Sequence, residues 1–452
     1  MKHSINLRKV NSNKTIMKKT VKNKRVIDAD HLEEGADAEE SGDRWFSSDL
    51  AKALRFYQRA YTHYQDAASG TAAPDARYNA ARLLLAVHTQ YIAGDIDVTR
   101  LDNVGEVLTG DERSVCQDIG NVVAAHEAAL NACGSDSPID LMFNTATAYS
   151  QWLEEAESPA DFMRGAHRAV ELVRAVWQIQ ISDHAPPEVL LETAEAGLAV
   201  ARAVLENTPA TELDAARSLV AELVKEVDST PTPEGEGIDA TQVRATTNIR
   251  ASLLVARTCV EALASDSVAA TCSVLEPLST PEGHMSAADC IEAVISRFGI
   301  DNPETDAQSY WDALSAMDTH LKLAQQMLSA QRNNNKSDVG AGGRSAQLAM
   351  VYIARADIDL QRSQLPLDSA RTHAAILEKN VKAFLTNASA VARATGGLRE
   401  TVLERTQRQR RWCEAQVRLA ILEQRDWGGI GPGCEAVFAD CAAQWYFRKW
   451  LE

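Results

Sequence analysis

The chain has 452 residues, 45% of them hydrophobic and 24% charged, a balance that excludes wholesale disorder and leaves enough apolar side chain for a large core. The formal net charge is −17, yet residues 1–25 carry nine Lys or Arg and no acid, so the remainder sets 37 basic against 63 acidic side chains, or −26. Such a body repels nucleic acid and anionic lipid and draws basic partners at long range.

Residues 1–27 are predicted to be a disordered basic tail, rich in Lys and Asn. The cluster KKTVKNKR within it is open to three readings: a nuclear import signal, an ordinary basic run, or a start site placed upstream of the true one. From residue 28 onward apolar residues recur at helical spacing, and no segment sustains period-two alternation, which predicts an all-α fold. The apolar fraction rests on Ala and Leu, both strong helix formers. Helices are expected at 29–47, 49–68, 74–93, 111–133, 138–156, 159–181, 187–206 and 210–227. Prolines at 74, 138 and 187 stand in or beside first turns, where a missing N–H costs nothing.

STPTPEGEG marks a linker at 229–238 that divides an N-terminal array, 28–228, from a C-terminal one, 239–452. In the second array helices are expected at 239–264, 266–276, 285–298, 303–332, 343–363, 367–394, 397–424 and 433–451. LSTPEGH at 278–284 reads as a minor break, and NNNKSDVGAGG at 333–343 as a mobile loop. The basic run RTQRQRRW at 405–412 reads as a solvated helix face. AAQWYFRKWLE crowds four aromatic rings into a last helix that either caps the array or docks on a partner.

Residues 42–64 carry the most specific pattern. Ala53, Tyr57 and Ala60 share one helix face as small, large, small, which lets a neighbouring helix approach closely. With Gly42, Phe46 and Asp49 they resemble the turn and second helix of a tetratricopeptide-repeat unit. YNAARLL at 78–84 and FNTATAY at 143–149 are similar to the first helix of such a unit, with Ala81 and Ala146 at the small position and His126 in a helix between them. Asn79 and Asn144 lie 65 residues apart, near two repeats. The resemblance implies an α-solenoid of antiparallel helix hairpins, clearest over 28–206, with a degenerate C-terminal half.

In that family the first helices line a groove that holds a partner segment. This points to Tyr78, Asn79, Arg82, Phe143, Asn144, Thr147 and Gln151 as contact residues. Asp43, at the position where the family's carboxylate-gripping members carry Asn, argues against that role. The expected function is a non-catalytic scaffold, adaptor or assembly chaperone for a basic protein of the ribosomal-protein or histone class. The alternative is a structural subunit that uses the C-terminal aromatic helix as its interface.

No catalytic motif occurs, and the glycines of GAGG and GGIGPG follow no strand. The eight cysteines show no zinc-knuckle spacing and no histidine pair stands at i, i+4. No catalytic residue, metal or cofactor is therefore expected. With no apolar run of about 18 residues and thiols inside helical patterns, no membrane partner is expected and nucleic acid is disfavoured. A cytoplasmic or nuclear location follows.

Overall fold

The structure, a computed structural model, describes residues 25–70, 73–94, 96–156, 158–228, 240–300, 306–334, 340–394, 396–397, 399–426, 428–431 and 434–451. Among these residues there is no strand, and the fold is all-α. The first helices are α1 (Arg25–Phe46), α2 (Leu50–Ala67), α3 (Ala73–Val87), α4 (Ile119–Cys133), α5 (Ile139–Trp152), α6 (Pro159–Ser182), α7 (Pro187–Asn207) and α8 (Leu213–Asp228). There follow α9 (Ala240–Leu263), α10 (Val268–Leu275), α11 (Pro281–Arg297), α12 (Ala307–Asn334), α13 (Ala341–Gln364), α14 (Asp368–Arg393), α15 (Val402–Leu422), α16 (Cys434–Ala443) and α17 (Arg448–Leu451). The chain forms two compact units, residues 1–204 with 218–250 and residues 205–217 with 251–452. The linker expected at 229–238 and most of the basic tail lie outside the described residues.

Within each unit consecutive helices pack on one another, α1 through α6 in the first and α10 through α16 in the second. Packing of α3 on α5 and of α13 on α15 adds helix n to n+2 contacts. This sequential packing is the solenoid-like arrangement that the helical pattern predicts.

The α1–α2 hairpin shows how the sequence sets the packing. On α2, Ala53, Tyr57, Ala60, Tyr64 and Ala67 are buried and follow the alternating four-and-three spacing of a single helix face. Facing them on α1 is a stripe of small residues at the same spacing, Gly35, Ala38 and Gly42. A Cβ on Gly42 would lie 2.6 Å from Tyr57 Cδ1, and one on Gly35 would lie 2.7 Å from Tyr64 Cδ1. Each ring fills the space that a glycine leaves, and each ring removed from water contributes on the order of 1.5–3 kcal/mol. Gly42 thus sits inside α1. The turn itself is Ser47-Ser48-Asp49, where the Asp49 carboxylate accepts from the Lys52 N–H and caps α2.

Several expectations need correction. Helix was expected from 111, but α4 begins at Ile119. The Asp111 carboxylate accepts from the Arg113 N–H and the Thr109 hydroxyl, holding a local turn, and Asp118 then caps α4 through Asn121 N–H. The break at 278–284 is shorter than expected: Thr280 caps α11 and Pro281 opens it. Much of the loop expected at 333–343 is helix at its described ends, since α12 runs to Asn334 and α13 starts at Ala341. Residues 335–339 lie outside the described residues.

The GAGG glycines open α13. Gly343 N–H donates to Glu404 Oε1 at 3.3 Å, so a carboxylate of the same chain occupies that helix N-terminus. The basic run of α15 is paired internally. Arg408, buried, grips Glu400 and the Ala392 carbonyl, Arg410 and Arg411 meet Glu414, and Arg418 meets Asp357 at 2.9 Å.

The C-terminal segment is also not one helix. Extended backbone at Gln444 separates α16 from a 3-10 turn, Trp445–Phe447, and α17. Tyr446 and Phe447 are buried in the core that α13, α14 and α15 share, and Trp445 and Trp450 pack against it. Gln364 Nε2 fixes this segment by donating to the Tyr446 carbonyl at 2.7 Å. Cys413 of α15 and Cys434 of α16 stand side by side, with Cα atoms 6.1 Å apart, a separation that a disulfide can span.

Candidate binding face and histidine cluster

The predicted contact residues fall on α3 and α5, which pack on each other. Tyr78, Asn79 and Arg82 on α3 and Phe143, Asn144, Thr147 and Gln151 on α5 are all half-buried, whereas Leu85 and Ser150 on the same faces are buried. Burial, followed by the nearby Asp140 carboxylate at the start of α5, pushes the Tyr78 phenol up to about 12. Thr147 spends its hydroxyl on the Phe143 carbonyl of its own helix. Gln151 Nε2 donates to Thr89 Oγ1 at 3.1 Å, while its buried Oε1 has no hydrogen-bond partner.

Arg82 is held inside the fold. Its Nη2 lies 2.7 Å from Glu39 Oε2, and the same oxygen accepts the Tyr64 hydroxyl at 2.8 Å. Burial opposes the Arg82 charge, but Glu39 outweighs it and raises the guanidinium pKa. One carboxylate therefore binds α1, α2 and α3 together. The arrangement recurs three helices on: Glu127 of α4 accepts Tyr149 of α5 at 3.1 Å and pairs with Arg168 of α6 at 2.9 Å. Glu39 and Glu127 escaped the sequence reading because a clasp between three helices leaves no local spacing signal. Asp43 accepts the Tyr57 hydroxyl at 3.0 Å.

His126 of α4 is fully buried. Its Nδ1 lies 2.8 Å from the Val122 carbonyl and its Nε2 is buried without a partner. Burial depresses its pKa to about 4, so the ring is neutral at pH 7, with Nδ1–H donating and Nε2 carrying a lone pair.

One group with metal-ligand chemistry gathers among the described residues, on α1 and α2: His31, Glu34 and His63. The two Nδ1 atoms are 3.2 Å apart, and Glu34 Oε2 lies 3.5 Å from His31 Nδ1 and 3.2 Å from His63 Nδ1. Sequence spacing could not join His63 to the pair at 31 and 34. The antiparallel register of α1 and α2 does. A second histidine pair, His284 of α11 and His320 of α12, makes an Nδ1 to Nδ1 contact of 3.1 Å without a third ligand atom among the described residues.

A family model described as the YNL193W C-terminal domain matches residues 279–436, which span α11 to the start of α16. Over 141 residues the chain is 30% identical to "Uncharacterized protein YNL193W" of Saccharomyces cerevisiae, an alignment covering 29% of this chain and 25% of that protein. The aligned part is thus about a quarter of that relative's length. Among solved structures, a "Circular tandem repeat protein with novel repeat topology and enhanced subunit contact surfaces" aligns with 94% of this chain and 95% of its own, at 14% identity. Its TM-score of 0.27 is too low to bear on the fold. The family match lies wholly outside the α3 and α5 contact residues and the histidine cluster.

Proposed function

We propose that the chain is a non-catalytic interaction scaffold, tetratricopeptide-like in its first six helices, that seats a segment of a basic protein partner against the α3 and α5 face. The reading rests chiefly on the packed pair α3 and α5, whose contact residues Tyr78, Asn79, Phe143, Asn144 and Gln151 all keep part of their side chains in solvent. Side-chain amides on neighbouring helices, such as Asn79 and Asn144, are suited to gripping an extended backbone. The acidic body supplies long-range attraction for a basic segment. Arg82 is left out of the contact set because Glu39 holds it. Burial of Tyr446 and Phe447 weighs against the alternative in which the C-terminal aromatics serve a partner.

The test is photocrosslinking from position 144 in the full chain, with and without Gln151→Ala, at low and high salt. A basic protein crosslinked at low salt and lost in the variant, with the circular dichroism spectrum retained, is expected. Crosslinks to acidic proteins only, or yields indifferent to both salt and Gln151, would refute the reading.

A further inference from the structure

The contacts among His31, Glu34 and His63 pose a problem of proton accounting. With one proton between the two Nδ1 atoms, the histidines satisfy each other, but Glu34 Oε2 is left facing a nitrogen lone pair. With a proton on each Nδ1, both can donate to Glu34, yet the two N–H groups then crowd each other at 3.2 Å. No assignment of protons satisfies all three contacts. A cation at the centre satisfies all of them at once, because each atom then directs its lone pair inward and each imidazole carries its proton on Nε2.

The dimensions fit one class of ion. Tetrahedral zinc with ligands at about 2.0–2.1 Å spaces them about 3.3–3.4 Å apart. The observed triangle has sides of 3.2, 3.2 and 3.5 Å. An ion about 2.05 Å from each corner would stand roughly 0.7 Å out of their plane, as the centre of a tetrahedron stands above one face. Two imidazole nitrogens and one carboxylate oxygen form a borderline ligand set that suits zinc better than calcium or magnesium. The carboxylate is 57% exposed and the two rings 31% and 24%, so an ion can enter from solvent and a fourth ligand can reach it.

We propose that His31, Glu34 and His63 form a zinc-class divalent metal site that fastens the N-terminal part of α1 to α2 and leaves one coordination position for water or for a partner's side chain. The His284 and His320 pair serves as the internal control. Burial pushes both of those rings below the usual histidine pKa, with His284 adding to the effect at His320, and a neutral pair needs only one Nδ1–H donated to the other. That contact is complete without an ion.

The test is a titration of the chelator-stripped full chain with cobalt(II), followed by its visible ligand-field absorption, and then displacement by zinc(II). One equivalent giving a tetrahedral spectrum is expected. His63→Ala should weaken binding at least about tenfold, and His284→Ala should leave it unchanged. Glu34 is largely exposed, so Glu34→Gln removes a ligand without touching the core and should also weaken binding at least about tenfold. Absence of a one-equivalent tetrahedral spectrum, or the same affinity in Glu34→Gln as in the wild type, would overturn the proposal.

Discussion

Acidification should loosen the first unit through His126. In the folded state the pKa of this ring is depressed to about 4 from an ordinary 6.5, because full burial disfavours the imidazolium. The unfolded chain therefore takes up the proton first as pH falls, and stability declines from about pH 6.5 down to about pH 4. Below both values the full difference applies, about 3 kcal/mol at about 1.4 kcal/mol for each pH unit. Between pH 7 and pH 5 the same linkage removes about 2 kcal/mol. Other groups titrate in this range, so the useful quantity is a difference between proteins. His126→Asn keeps an N–H near the Val122 carbonyl but cannot ionise. It should be the less stable protein at pH 7, where it leaves a small cavity, and its deficit should shrink by about 2 kcal/mol at pH 5. Urea unfolding at the two pH values, read from tryptophan emission with Trp177 buried on α6 of the same unit, measures this. If the two proteins lose stability in parallel, the buried neutral histidine is the wrong account of α4.

Gly42→Ala should destabilise the α1–α2 hairpin, because the added methyl meets the Tyr57 ring. An overpacking cost of about 1–3 kcal/mol exceeds a helix-propensity gain of up to about 1 kcal/mol, and Tyr57→Leu in the same chain should recover part of the loss. A melting temperature at or above the wild-type value would show that the ring can move aside. Phe447→Ala should lower the stability of the second unit by about 3–5 kcal/mol in denaturant unfolding. A loss below about 1 kcal/mol would mean that the C-terminal segment does not close that core.

Helix type and order were legible in the sequence because Ala-rich and Leu-rich periodicity is a local signal. The Tyr57 face could be recognised for the same reason. What escaped was whatever depends on a second helix. The stripe of Gly35, Ala38 and Gly42 gains meaning only opposite Tyr57 and Tyr64. Arg82 looked like a free contact because its carboxylate lies 43 residues away on α1. His31 and His63 looked isolated because their meeting depends on the hairpin register. The helix expected at 111 failed for a local reason, the competing turn at Asp111. The run at 405–412 is only partly a solvated face, since Glu400 and Glu414, close by in sequence, pair Arg408, Arg410 and Arg411.

The carboxylate clasps change how the first unit should come apart. In an array whose units touch only their neighbours, end helices fray one after another and amide exchange grades smoothly toward the termini. Glu39 and Glu127 each span three consecutive helices, so opening any one of the three breaks an ion pair or a charge-assisted hydrogen bond at a half-buried carboxylate shared with the other two. Amide protons of α1, α2 and α3 should then exchange as one block, and those of α4, α5 and α6 as another, with the seam between α3 and α4.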